Sequence, residues 1–177
     1  LPSNFSLKFI FDFIPALKDV PPTIFDQLTK KMNRIITNHD EIKGVFLLSA
    51  GKYDPVIYSK NIKNYQKIQE MSELLHSFGI EPLIKDLASR GYHGSSAMTF
   101  PEFGLGMIKI SDNEIIAVLV GDQPDQYSED KIKIIIETIK NEVFPDLETT
   151  LKTIPNPRVK TDEETINTST IPKPDEK

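Results

Sequence analysis

The side chains best placed to do chemistry are three histidines, His39, His76 and His93, and a run of acids near residue 125. None of the histidines has metal-ligand spacing to another histidine or to a pair of carboxylates. His93 lies in Gly91-Tyr92-His93-Gly94-Ser95-Ser96, which sets a base beside a hydroxyl. Neighbouring side chains on a loop seldom aim at one another, and nothing here matches the Gly-x-Ser-x-Gly elbow that would present a nucleophile. The three are therefore read as surface or helix-flank histidines. Asp122, Asp125, Glu129 and Asp130 surround Gln123-Pro124. A calcium loop needs a denser set of oxygens and a bidentate Glu at its twelfth position, so a polar loop followed by helix-capping acids is expected. Gly104-Leu105-Gly106 lacks the third glycine and the following helix that would cradle a pyrophosphate. It reads instead as a strand whose small residues let a helix or another chain approach. No catalytic, cofactor-binding or metal-ligating residue is assigned, no cofactor is expected, and the chain is read as non-enzymatic.

Composition narrows the remaining classes. The chain has 177 residues, 38% of them hydrophobic, which is enough for one domain with a real core. Its net charge of −5 argues against a nucleic-acid partner, which calls for a basic stripe. No apolar run reaches the roughly 18–20 residues of a transmembrane helix. The absence of Cys excludes a disulfide scaffold, a thiolate metal site and a cysteine nucleophile, and it fits a cytoplasmic location. Asn4-Phe5-Ser6 and Asn167-Thr168-Ser169 match the glycosylation triplet, a pattern common by chance. The sequence opens at Leu1 rather than Met, as a trimmed chain or a fragment would.

The elements that must position these residues follow from periodicity. Phe5, Leu7, Phe9, Phe11 and Phe13 alternate with Ser6, Lys8, Ile10 and Asp12, which predicts a strand over 5–14 ended by Pro15. Phe5, Phe9, Phe13 and Leu17 also fall four apart, so a helix remains the alternative there. After Pro21-Pro22, Thr23 with Asp26 resembles a capping box. Ile24, Phe25, Leu28, Met32, Ile35 and Ile36 then form one helical stripe. Residues 44–48 form a continuous apolar run and read as a central strand, and Pro55-Val56-Ile57-Tyr58 as its returning partner. From Lys63 to Arg90 the pattern is helical again, with Ile68, Met71, Leu75 and Phe78 on one face and Leu74 beside them. Gly79 and Pro82 predict a kink or two consecutive helices. Three strands follow at 95–100, 104–110 and 114–120, the last two joined as a hairpin through Ser111-Asp112-Asn113. Ser128 should cap a final helix with its apolar stripe at Ile132, Ile135, Ile136, Ile139 and Val143, while Ile134 points elsewhere. Leu147 and Leu151 fit an extension of it past Pro145. Beyond Pro155 the apolar content is too low to offset ordering entropy, and a disordered tail is expected.

Helix, hairpin, helix, three antiparallel strands and helix is an order that resembles the roadblock family, relatives of the longin and profilin-like folds. The resemblance spans roughly residues 22–151. It includes Gly44-Val45-Phe46-Leu47-Leu48-Ser49-Ala50-Gly51 as first strand and turn, and the meander from Met98 to Gly121 with its apolar run 115–120. It implies an α/β fold with a central antiparallel five-stranded sheet and flanking helices, in the order α-β-β-α-β-β-β-α, plus an extra N-terminal strand. The expected division is residues 1–21 as strand and linker, 22–153 as the roadblock-like domain and 154–177 as tail. The resemblance further implies a scaffold that forms a homo- or heterodimer, joining sheets edge to edge and packing middle helices, and that binds or regulates a small Ras-like GTPase or a scaffold complex. Phe5, Leu7, Phe9, Phe11, Phe13, Met71, Leu75, Met98 and Phe100 are the expected partner interface. The Phe-rich strand would either be buried against a helix of its own domain or be added to a partner's sheet edge. The arginines Arg34, Arg90 and Arg158 do not suggest an inserted finger, so a GTPase would be acted on by ordering its own groups. The alternative is a small-ligand sensor of PAS or profilin-like type, with an apolar pocket between sheet and helix.

Overall fold

A computed structural model describes residues 20–51, 56–91, 93–123 and 125–145. Its elements run α1 (Pro22–Asn38), β1 (Ile42–Ser49), β2 (Val56–Ser59), α2 (Ile62–Phe78), α3 (Ile80–Ala88), β3 (Ser95–Thr99), β4 (Gly104–Lys109), β5 (Glu114–Val120) and α4 (Glu129–Glu142). The expected order is thus observed, with the middle helical stretch divided in two. The Phe-rich segment, the 52–55 turn, the helix extension at Leu147 and Leu151 and the tail lie outside the described residues.

The strands form one antiparallel sheet in the order β2-β1-β5-β4-β3. Period-two alternation sends Val45 and Leu47 of β1, Ile116, Val118 and Val120 of β5, and Ile108 of β4 to one face. There they meet Phe25, Leu28, Met32, Ile35 and Ile36 of α1 and Ile132, Ile135, Ile136 and Ile139 of α4. Phe46, Leu48, Ile115, Ala117, Leu119, Leu105 and Met107 point the other way, under Ile68, Met71 and Leu75 of α2 and Ile80, Ile84 and Leu87 of α3. Both faces are covered, which explains why β1 and β5 read as unbroken apolar runs rather than alternating ones.

Local signals fix the helix ends. The Thr23–Asp26 capping box does not form: α1 starts at Pro22, with Pro21 and not Thr23 in the cap position, and no side chain caps it. Prolines take that role, since Pro22 at the first helical position has no N–H to satisfy. Instead, Ile24 and Phe25 donate their N–H groups to the Pro21 carbonyl. At the other end of α1, Lys60 Nζ donates to the carbonyls of Ile36 (3.2 Å) and His39 (3.3 Å). Asn61 Oδ1 accepts from the Asn64 N–H at 2.8 Å to open α2, and Ser128 Oγ accepts from Lys131 at 3.2 Å to open α4, as expected.

Gly79 (φ 96°) separates α2 from α3, a conformation that favours glycine. This turn overturns one expectation. Phe78 does not share the inward face with Met71 and Leu75; it is 73% exposed. Helix α2 ends there, and Ile80, Ile84 and Leu87 of α3 cover the sheet in its place.

The glycines of β4 set the position of α4. Cβ atoms at Gly104 and Gly106 would run into Ile132 and Ile136 respectively. Gly104 pairs with Thr99 and Gly106 with Ala97, while Lys140 Nζ lies 3.5 Å from Ser95 Oγ. Residues 132, 136 and 140 of α4 therefore climb beneath 99, 97 and 95 of β3, one helical turn for each two-residue strand step.

Candidate functional site

Strands β2 and β3 form the two outer edges of the sheet. Phe100 donates to the Phe103 carbonyl and Lys109 to the Gly94 carbonyl. Antiparallel pairing alternates, so Gly94, Ser96, Met98 and Phe100 turn their backbone groups to β4. Ser95, Ala97 and Thr99 turn theirs outward, to an edge that no other described strand covers. Residues Ser95 to Met98 are half-buried and Thr99 is exposed. Their side chains split between faces: Ala97 packs against the α1/α4 core, Met98 and Phe100 against the α2/α3 core.

Basic groups gather at the N-terminal end of this edge. Arg90, Gly91, His93, Lys140, Asn141, Phe144 and Pro145 line a cavity of about 270 Å³. His93 Nδ1 lies 2.9 Å from the Lys109 carbonyl and, because a carbonyl only accepts, carries the proton. Its ring leans on Phe144, with centroids 4.9 Å apart. Arg90 pairs with Asp86 at 3.3 Å and Lys140 with Glu137 at 3.7 Å, each on or next to its own helix. Helices α3 and α4 both end here, and their terminal carbonyls favour cations.

The other groups raised by the sequence have structural partners. His39 Nδ1 meets Glu41 Oε1 at 3.3 Å. Burial holds the imidazole of His76 below its ordinary pKa. Asp122 stands 4.0 Å from Lys43, the Asp125 carbonyl accepts from Lys131, and Glu129 pairs with Lys133 at 2.8 Å. Among the described residues, no group of three His, Asp or Glu side chains could hold a metal ion.

The expected interface residues separate. Met71 and Leu75 are buried in the core beneath α2, so this chain presents neither at its surface. Met98 and Phe100 are half-buried beside the open edge, with Phe100 stacked on Phe103 at 4.8 Å. Phe5, Leu7, Phe9, Phe11 and Phe13 lie outside the described residues. The apolar side chains that α2 does expose are Ile62, Leu74 and Phe78. Periodicity puts Leu74 beside the buried stripe and Phe78 on it, so the pattern marks neither as exposed. That Arg90 and Lys140 line one cavity is beyond it, because they lie fifty residues apart in the chain.

The described residues thus define an α/β domain of roadblock-like order, one five-stranded antiparallel sheet clad by helices on both faces. No family model matches the chain, and no curated protein does. Among solved structures it is similar to MglB of Myxococcus xanthus at 14% identity, over 71% of this chain and 98% of that one, with a TM-score of 0.45. It is also similar to a roadblock/LC7 domain from Streptomyces avermitilis at 13% identity, over 67% and 96% of the two chains, with a TM-score of 0.42.

Proposed function

We propose that this chain is a non-enzymatic interaction module of roadblock type, which pairs with a second copy or a related domain and binds or regulates a small Ras-like GTPase. The observation that carries the pairing is the open β3 edge. A strand with unpaired N–H and C=O groups recruits another strand unless it is blocked, and β3 bears neither Lys nor Pro to block it. Exposed Leu74 and Phe78 on α2 supply the apolar surface that a helix-to-helix contact needs. These are the two kinds of contact implied by the roadblock resemblance, edge to edge and helix to helix. The GTPase half of the proposal comes from that resemblance. Arg34 is paired with Glu142 and Arg90 with Asp86, so the favoured mode is ordering of the GTPase's own catalytic groups.

The test has two arms. Light scattering gives the molar mass in solution, and Phe78→Gln should shift any dimer towards monomer, lowering the urea midpoint only by as much as dimerisation had raised it. Nucleotide hydrolysis and exchange by Ras-like GTPases are then followed with and without the protein. A strict monomer that leaves every such GTPase unaffected would sink the proposal.

A further inference from the structure

The edge of β3 runs beside α4, and a cleft lies between them. One cavity, about 290 Å³, is bordered by Ser95, Ser96 and Ala97 of the strand and by Lys133, Ile136 and Glu137 of the helix. The cationic cavity of about 270 Å³ lies at the end where β3 begins, and Arg90 lines both. The two ends differ in charge. Glu129 and Glu137 are balanced by Lys133 and Arg90 along the first, while the second is lined by Arg90, His93 and Lys140 with no carboxylate.

We propose that this cleft binds the C-terminus of an extended peptide, which adds to the sheet antiparallel to β3 and sets its terminal carboxylate between Arg90 and Lys140. Ser95, Ala97 and Thr99 supply the outward backbone groups that such a strand would pair with. An antiparallel strand ends where β3 starts, so direction alone brings its C-terminus to the cations. The chemistry at that end suits a carboxylate: a guanidinium fork, an ammonium and the Asn141 carboxamide. In a chain of net charge −5, this basic end is a local feature and not a general one. The acids that now pair with the two cations are replaceable. Asp86 and Glu137 side chains are each 58% exposed, and exposed ion pairs of this kind hold weakly. Alternate side chains of the peptide would fall on Ala97 and Ile136, a shallow apolar seat that favours small and β-branched residues.

The probe is a library of random hexapeptides tethered by their N-termini, made once with free C-terminal carboxylates and once with C-terminal amides. Free-acid members should be retained, and their amide counterparts should bind at least about tenfold more weakly. Changing Arg90→Gln together with Lys140→Gln should weaken the retained peptides by about tenfold or more while lowering the urea midpoint only slightly. Ala97→Pro removes an N–H that this sheet does not use, so it should spare the fold and abolish binding. Equal binding of acid and amide forms, unchanged binding by the double variant, or retention of no peptide would each overturn the proposal. A pair of chains joined through β3 would compete for the same edge, and saturating peptide should then lower the mass seen by light scattering. A chain that is monomeric throughout refutes the pairing proposal yet leaves the acid-versus-amide comparison intact.

Discussion

Replacing Gly104 by Ala tests whether the β4 glycines hold α4 at its distance from the sheet. A Cβ at Gly104 would press on Ile132 Cδ1 and stand 3.0 Å from its Cγ1 and 3.3 Å from Tyr127 Cβ. Ile132 is fully buried, so its side chain has nowhere to swing. Forcing a methyl into such packing costs about 1–3 kcal/mol, and the loss of glycine's freedom in the unfolded chain returns about 0.4–1 kcal/mol. The net expectation is destabilisation by about 1–2 kcal/mol. Ile132→Val deletes the Cδ1 that obstructs, and by itself should cost about 0.5–1.5 kcal/mol. The double variant should then be more stable than the sum of the singles predicts, by about 1 kcal/mol. Urea unfolding of the four proteins, followed by circular dichroism, measures this coupling. Costs that add within about 0.3–0.5 kcal/mol, or a Gly104→Ala protein that gains stability, would refute the reasoning.

Three other outcomes follow from the same packing. The side chain of Asn64 is fully buried, and neither its Oδ1 nor its Nδ2 has a hydrogen-bond partner; Asn64→Ala should leave stability unchanged or raise it by about 1 kcal/mol, and a clear loss in urea would contradict this. Lys60→Met keeps an apolar stem but deletes both bonds to the last carbonyls of α1; it should cost about 1 kcal/mol, and hydrogen exchange at the end of α1 should quicken. His76 has a folded pKa lowered by burial, so the unfolded chain takes up a proton first as pH falls. Its contribution is therefore intact above the ordinary histidine value near 6.5 and is lost as pH falls towards the folded value. His76→Gln should flatten the decline in urea midpoint below that value, and equal slopes in the two proteins would count against the assignment.

How far the sequence revealed this fold depended on the range of each signal. The β1 and β5 runs, the α1 stripe and the Ser128 cap are local, and each appears in the structure at its expected place. So does the role of Gly104 and Gly106, because two glycines spaced for one strand face leave few uses but close approach. Misreadings arose where local pattern competed with chain geometry. Thr23 and Asp26 have the right spacing for a cap, but Pro22 starts the helix without one. Phe78 continues the period of α2, but the chain turns at Gly79 and exposes it. Met71 and Leu75 fell on an apolar stripe that could equally face a sheet or a partner, and periodicity does not distinguish the two. The cationic corner is invisible for another reason: Arg90 and Lys140 line one cavity only after β3 has taken the edge of the sheet.

The same glycines connect the core to the cleft. With no side chains at 104 and 106, α4 settles close against β4, and Ile132 and Ile136 fill the space that Cβ atoms would occupy. The flank of that helix, with Lys133 and Glu137, borders the cleft opposite Ser95, Ser96 and Ala97 of the neighbouring strand. Strand β3 carries only small side chains on that face, Ser95, Ala97 and Thr99, so nothing of its own closes the gap. The edge is open because β3 ends the sheet, and the cleft beside it follows from the spacing of small residues on two adjacent strands. Larger residues on the α4 face of β3 would close the cleft without disturbing β4, which separates the demands of the core from those of the binding edge.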